Sequence, residues 1–223
     1  GTSCSSLADS VARPRRPRQR VSAPDQAEIP TLARSQPRRL PGVDGIWVAV
    51  GADAVIFAIL FLSFMQDRLK DPALFETSRH TLNPNFGGID TLILLTSSWS
   101  VAIAVQALKR DLPATASRYF LGAALTGLMF IGSKGIEYFG KFSHGVTPGT
   151  NSFFMWYFTL TGIHLLHVVF GTSLLTYVWL KARAGACTSS NRVVPECVAS
   201  YWHLVDFLWI VLFPLLYLLR AAQ

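Results

Sequence analysis

Charge and cysteine are both scarce in this chain. Asp, Glu, Lys and Arg make up only 15% of the 223 residues, against 51% hydrophobic ones, and the mean hydropathy is +0.36. That balance does not suit an ordinary soluble domain of this length. The three cysteines, Cys4, Cys187 and Cys197, are neither an even set nor spaced as metal ligands, which excludes a disulfide framework and a zinc module. Cys187 and Cys197 are close enough in sequence to pair, but the orientation derived below puts both on the reducing side, so thiols are expected. Also missing are a phosphate-binding glycine loop, a serine or cysteine nucleophile arrangement, a zinc-protease motif and a strong internal repeat of the kind found in many secondary transporters. Asn151-Ser152-Phe153 is not a glycosylation acceptor.

What is abundant is long apolar sequence. Five stretches, at about 45–66, 89–108, 118–140, 152–180 and 198–220, are each long enough, at about 20 residues, to cross a hydrocarbon core about 30 Å thick. The spacing predicts an all-α, polytopic membrane bundle of five transmembrane helices, with a domain over 43–223. Residues 1–42 differ in kind. Eight arginines lie among Pro, Ser, Ala and Gln, with prolines at 14, 17, 24, 30, 37 and 41, so a disordered, solvated cytoplasmic tail near anionic headgroups is expected rather than a nucleic-acid arm. The tail lacks the ordered basic, apolar and small-residue regions of a secretory signal. With Gly1 in place of methionine, the native start is expected upstream.

Basic residues gather on the cytoplasmic side of membrane proteins. Lys109, Arg110 and Arg118 in one turn and Lys181, Arg183 and Arg192 in another join the arginine-rich tail on one side; Arg68, Lys70, Arg79 and Lys141 lie opposite. The tail decides the count, placing the N-terminus inside and, after five crossings, the C-terminus outside.

Ionisable groups within the spans are costly in hydrocarbon, by at least about 2.5–3.5 kcal/mol, and should face protein or water. His203 and Asp206 fall i,i+3 in the last span and share a helix face. Asp53, in the small-residue run Gly51-Ala52-Asp53-Ala54, lies about as deep in the first span as Asp206 in the last, roughly 12 Å from the inner ends at 1.5 Å per residue. A satisfied polar cluster of Asp53, His203 and Asp206 is therefore expected, with proton transfer as the alternative. Lys134 and Glu137 sit i,i+3 and predict an intrahelical ion pair, a functional carboxylate or subunit contact being the alternatives. His164 and His167 share a face near the middle of the fourth span. Metal ligation needs to be weighed, but di-metal bundles use paired Glu-x-x-His motifs and none occurs. Interhelical hydrogen bonding is the preferred reading, with Gly162 and Gly171 allowing close packing.

In order and over nearly all of 45–220, these segments resemble subunit III of the haem-copper respiratory oxidases. The resemblance is carried by Gly51-Ala-Asp53-Ala-Val-Ile-Phe57, Leu82-Asn83-Pro84, the Glu137-Tyr138 pair, Thr161-Gly162-x-His164-x-x-His167 and Tyr201-Trp202-His203-x-Val205-Asp206-x-x-Trp209. Typical members have seven helices. This chain is similar to short, five-helix forms, which include the accessory protein of bacterial nitric oxide reductases. The resemblance implies a noncatalytic, multi-pass subunit of the bacterial inner membrane that binds no haem or copper itself. It would pack beside the catalytic subunit that carries them, associate with phospholipid, and support complex stability and proton uptake. Asp53 stands where a glutamate is usual and Lys134 where a glutamine is common, so the glutamate's detailed hydrogen-bond role does not transfer unchanged. A membrane enzyme with its own His/carboxylate metal site and a proton-coupled transporter are the rival readings of the same residues.

Overall fold

The computed structural model describes residues 44–185 and 193–219; the arginine-rich tail, Cys4 and Cys187 lie outside the described residues. Five helices are long and apolar enough to cross a membrane: Gly45–Lys70, Pro84–Lys109, Pro113–Ser143, Ser152–Arg183 and Val193–Leu218. In chain order the elements are α1 (Asp44–Lys70), α2 (Pro72–Arg79), α3 (Pro84–Lys109), α4 (Pro113–Ser143), α5 (Ser152–Arg183) and α6 (Val193–Phe213), the last continuing as a π-helical turn over Pro214–Leu218. The protein is an all-α, multi-pass membrane bundle.

Local chemistry explains why the helices outrun the apolar stretches. α3 starts five residues before the expected position, because the Asn83 side chain accepts from the Asn85 N–H and Pro84 sits in the first turn, where its missing N–H is no loss. Asn151 caps α5 the same way, accepting from Phe154 N–H at 2.9 Å, while its amide donates to Ser78 Oγ at 2.9 Å and ties α2 to α5. Gly145 and Gly185, at φ 74° and 70°, stand just beyond the ends of α4 and α5, where only a residue without Cβ enters the left-handed region freely. The short α2, within what reads from sequence as a plain loop, is capped by Asp71 and anchored by buried Phe75 and Ser78.

α3, α4, α5 and α6 form the packed body. α3 lies against α4 and α6, α4 against α5, and α5 against α6, while α1 packs on α5 and α6. α1 is the most exposed span, only 11% of its apolar window being buried against 33–44% for the others. Two tryptophans of α6 lock the body. Trp202 is fully buried and donates through Nε1 to Ser97 Oγ of α3 at 3.1 Å; Ser97 in turn donates to the Ala123 carbonyl of α4 at 3.2 Å. Trp209, also fully buried, donates to Thr91 Oγ1 of α3 at 3.1 Å. The Trp202 ring fits because two glycines admit it. A Cβ on Gly171 would lie 2.8 Å from Trp202 Cε3, and one on Gly127 would lie 3.1 Å from Cη2. Gly162 plays no such part, its nearest neighbour to a built Cβ being the Tyr138 hydroxyl at 3.9 Å, so the close packing expected of both glycines is confined to Gly171.

Pro214 accounts for the π-helical turn, since it cannot donate to the carbonyl one turn back and its ring forces the helix wider. The terminal carbonyls this leaves are met from elsewhere: Arg68 Nη2 of α1 donates to Leu219 O at 2.8 Å and Arg79 Nη1 of α2 to Tyr217 O at 3.1 Å. These two contacts draw the ends of α1, α2 and α6 together at what we term the distal end, where α3 and α5 begin.

Candidate functional site

The polar groups of the spans gather in separate centres at different depths. At the distal end, Lys134 of α4 is 1% exposed and Asp90 of α3 is 0% exposed, with Lys134 Nζ 3.0 Å from Asp90 Oδ2. Lys134 Nζ also donates to Glu137 Oε2 at 2.6 Å and to the Tyr217 hydroxyl at 3.3 Å, and that hydroxyl donates to Glu137 Oε1 at 2.9 Å. The ammonium lies 4.6 Å from the Trp209 ring centroid, a cation–π distance. Lys141, two turns beyond Lys134, acts electrostatically on Glu137 and sits 5.1 Å from the Tyr157 ring. Lys134 thus stands between two carboxylates and compensates charge that a low-dielectric setting would otherwise penalise.

The second centre joins α1 to α5. His167 Nε2 lies 3.0 Å from Asp53 Oδ1, and His167 Nδ1 lies 2.7 Å from the Ile163 carbonyl one turn back. A carbonyl only accepts, so Nδ1 carries a proton. The contact to Asp53 therefore holds one further proton, on Nε2 or on Oδ1, and the pair is neutral as a unit. The Phe57 ring stands edge-on to the imidazole at 5.4 Å and fixes its plane.

The third centre lies between α3 and α6. His203 Nδ1 and Ser98 Oγ are 2.6 Å apart, with His203 exposed on the outer side of the bundle. Behind them Asp206 is 3% exposed, and neither of its carboxyl oxygens has a hydrogen-bond partner among the described residues. Ser98 is the neighbour whose side chain bears on it.

The expected cluster of Asp53 with His203 and Asp206 is thus corrected: the described hydrogen bonds pair Asp53 with His167 and His203 with Ser98. Equal depth is not equal azimuth, and α1 reaches α6 from the α5 side while His203 faces α3. His164 also departs from expectation. It is fully buried with neither ring nitrogen hydrogen-bonded among the described residues, and its ring lies tilted against Trp209 at 5.1 Å and edge-on to Phe130 at 5.7 Å. It packs as an aromatic ring inside the body while His167 turns toward α1, so the two imidazoles do not converge. Among the described residues, no group of three or more His, Cys, Asp or Glu side chains is arranged to hold a metal ion. Sequence reasoning missed Asp90, Tyr217 and Ser98. Asp90 had a readable signal: with Asn83-Pro84 taken as the start of the helix it lies nearly two turns inside.

A buried charge network at one end, a shared-proton pair on an outlying helix and two tryptophan anchors define a multi-pass membrane component whose most buried polar side chains include several that join helix to helix. The family model for cytochrome c oxidase subunit III matches residues 43–220. The chain is 32% identical over 176 residues to cytochrome c oxidase subunit 3 of Synechocystis sp., covering 78% of this chain and 74% of the relative. It is 30% identical over 169 residues to the probable cytochrome c oxidase subunit 3 of Mycobacterium leprae (75% and 80% covered). It is also 27% identical over 182 residues to the cytochrome bo(3) ubiquinol oxidase subunit 3 of Buchnera aphidicola (78% and 92%). The chain belongs to the cytochrome c oxidase subunit III family and is a multi-pass protein of the bacterial inner membrane.

Proposed function

We propose that this chain is the noncatalytic subunit III component of a bacterial haem-copper respiratory oxidase, seated beside the catalytic subunit that carries haem and copper. It stabilises that complex and supports its proton uptake. The observation that carries this reading is the use made of the family motif: Trp202 and Trp209 anchor α6 to α3, His203 bonds to Ser98, and Gly171 admits the Trp202 ring. These are devices for a rigid scaffold. The N-terminus lies inside and the C-terminus outside, and phospholipid covers the aliphatic outer face of α1 (Val55, Ile56, Ile59, Leu62). Relatives named as cytochrome c and ubiquinol oxidase subunits favour oxygen over nitric oxide as the terminal acceptor.

The test is a deletion strain with the plasmid-borne gene as control. Membranes without the chain should keep the haem spectrum of the oxidase, while oxygen consumption decays faster over repeated turnovers and proton uptake slows. Unchanged turnover and uptake in a strain that still assembles the oxidase would overturn the proposal.

A further inference from the structure

We infer that the seam between α3 and α6, marked by Ser98 and His203, is the surface that docks on the catalytic subunit, and that His203 makes a hydrogen bond through Nε2 to a polar group on that partner. The inference rests on the oxidase partnership proposed above and assigns it a face.

Ser98 differs from the other hydroxyls of α3. Thr91, Thr96 and Ser100 each donate to the carbonyl one turn back, at 2.8, 2.8 and 2.9 Å. Ser98 instead meets His203 Nδ1 at 2.6 Å. Ser98 therefore takes up one imidazole nitrogen, and Nε2 is the nitrogen left to bond elsewhere, donating or accepting according to the tautomer. His203 is exposed, and its Nε2 has no hydrogen-bond partner among the described residues.

Depth makes this exposure informative. His203 is the eleventh of 26 residues in the span Val193–Leu218, and Ser98 the fifteenth of 26 in Pro84–Lys109, so both lie well inside their spans. An acyl chain offers neither donor nor acceptor to the ring. The other outer faces suit lipid. α1 presents Val55, Ile56 and Ile59, and α4 presents Leu125, Leu128 and Met129. Exposed hydroxyls elsewhere, such as Thr159 and Ser173 of α5, return their protons to their own helix. Asp206, buried on the same helix and acted on by Ser98, gives the same seam a second polar group. The partner that fits is a transmembrane helix presenting a polar group level with His203.

The test uses the assembled oxidase in native membranes. A photoactivatable phenylalanine analogue replaces Phe207 (60% exposed, one turn beyond His203), Met129 (59%) or Val55 (59%) in separate strains. The expected result is a cross-link to the catalytic subunit from position 207 and none from 129 or 55. In detergent titration, His203→Leu should lower retention of the chain on the complex by about tenfold and His203→Gln, which keeps an amide donor, by no more than about twofold. Cross-linking to the catalytic subunit from 129 or 55 but not 207 overturns the inference, as does a cross-link at 207 to a second copy of this chain. Equal retention of the leucine and glutamine variants also overturns it. If the catalytic subunit does not co-purify with the unmodified chain, the partnership itself fails; if it does and 207 is silent, only the assignment of the face fails.

Discussion

Replacing Lys134 by methionine should damage this protein more than any other single change of similar size. The side chain is 1% exposed, 3.0 Å from Asp90 and 2.6 Å from Glu137. At an effective dielectric of about 20, each contact has a Coulomb energy of about 5–6 kcal/mol, most of it offset by the cost of desolvating the charges. What the substitution exposes is that cost: the buried Asp90 and the part-buried Glu137 lose the ammonium between them, and breaking a buried pair in this way typically costs about 3–5 kcal/mol. Loss of the ammonium from the Trp209 face adds to it. At about 2–4 °C per kcal/mol for a chain of this size, the unfolding midpoint in detergent should fall by roughly 6–20 °C. Tryptophan fluorescence is a suitable probe because Trp209 lies 4.6 Å from the lost charge. The triple variant Asp90→Asn, Lys134→Met, Glu137→Gln removes the charges together and should recover most of the loss. An unchanged midpoint in the single variant, or a triple variant no better than the single, would refute the electrostatic account and leave Lys134 as packing only.

Gly171→Ala should destabilise by about 1–3 kcal/mol, because its Cβ would overlap the edge of a ring held on both sides, whereas Gly162→Ala should be neutral or stabilising by up to about 1 kcal/mol; thermal melts of the two variants check the contrast. Asp53→Asn should be tolerated within about 1 kcal/mol, since the amide N–H donates to a neutral His167 Nε2. His167→Leu strands the Asp53 carboxylate and should cost about 1–3 kcal/mol, and the same melts decide between them.

Much of this architecture was legible in the sequence because a bilayer leaves few choices. The five spans followed from apolar length alone, and the Lys134–Glu137 contact followed from helical spacing. Asp90 was hidden by boundary placement, for a helix begun at 89 puts it in the first turn, whereas the Asn83 cap and Pro84 carry it inward to meet Lys134. The partners of Asp53 and His203 were hidden by azimuth. Depth can be counted along a helix, but which neighbour a side chain faces depends on how α1 docks against α5 and α6, a tertiary choice that periodicity does not encode. His164 shows the same limit from the other side: its spacing from His167 suggested a shared polar role, yet one ring turns toward a carboxylate and the other packs between Phe130 and Trp209.

The central claim, a scaffold beside a catalytic partner that holds the redox centres, is tested most directly by locating the haem and metal. The oxidase should be isolated through a tag on this chain and then split in detergent, with haem absorption, iron and copper measured in each fraction. The account predicts that all three follow the catalytic subunit and that the separated chain carries none. Iron, copper or haem in stoichiometric amount on the separated chain would contradict it.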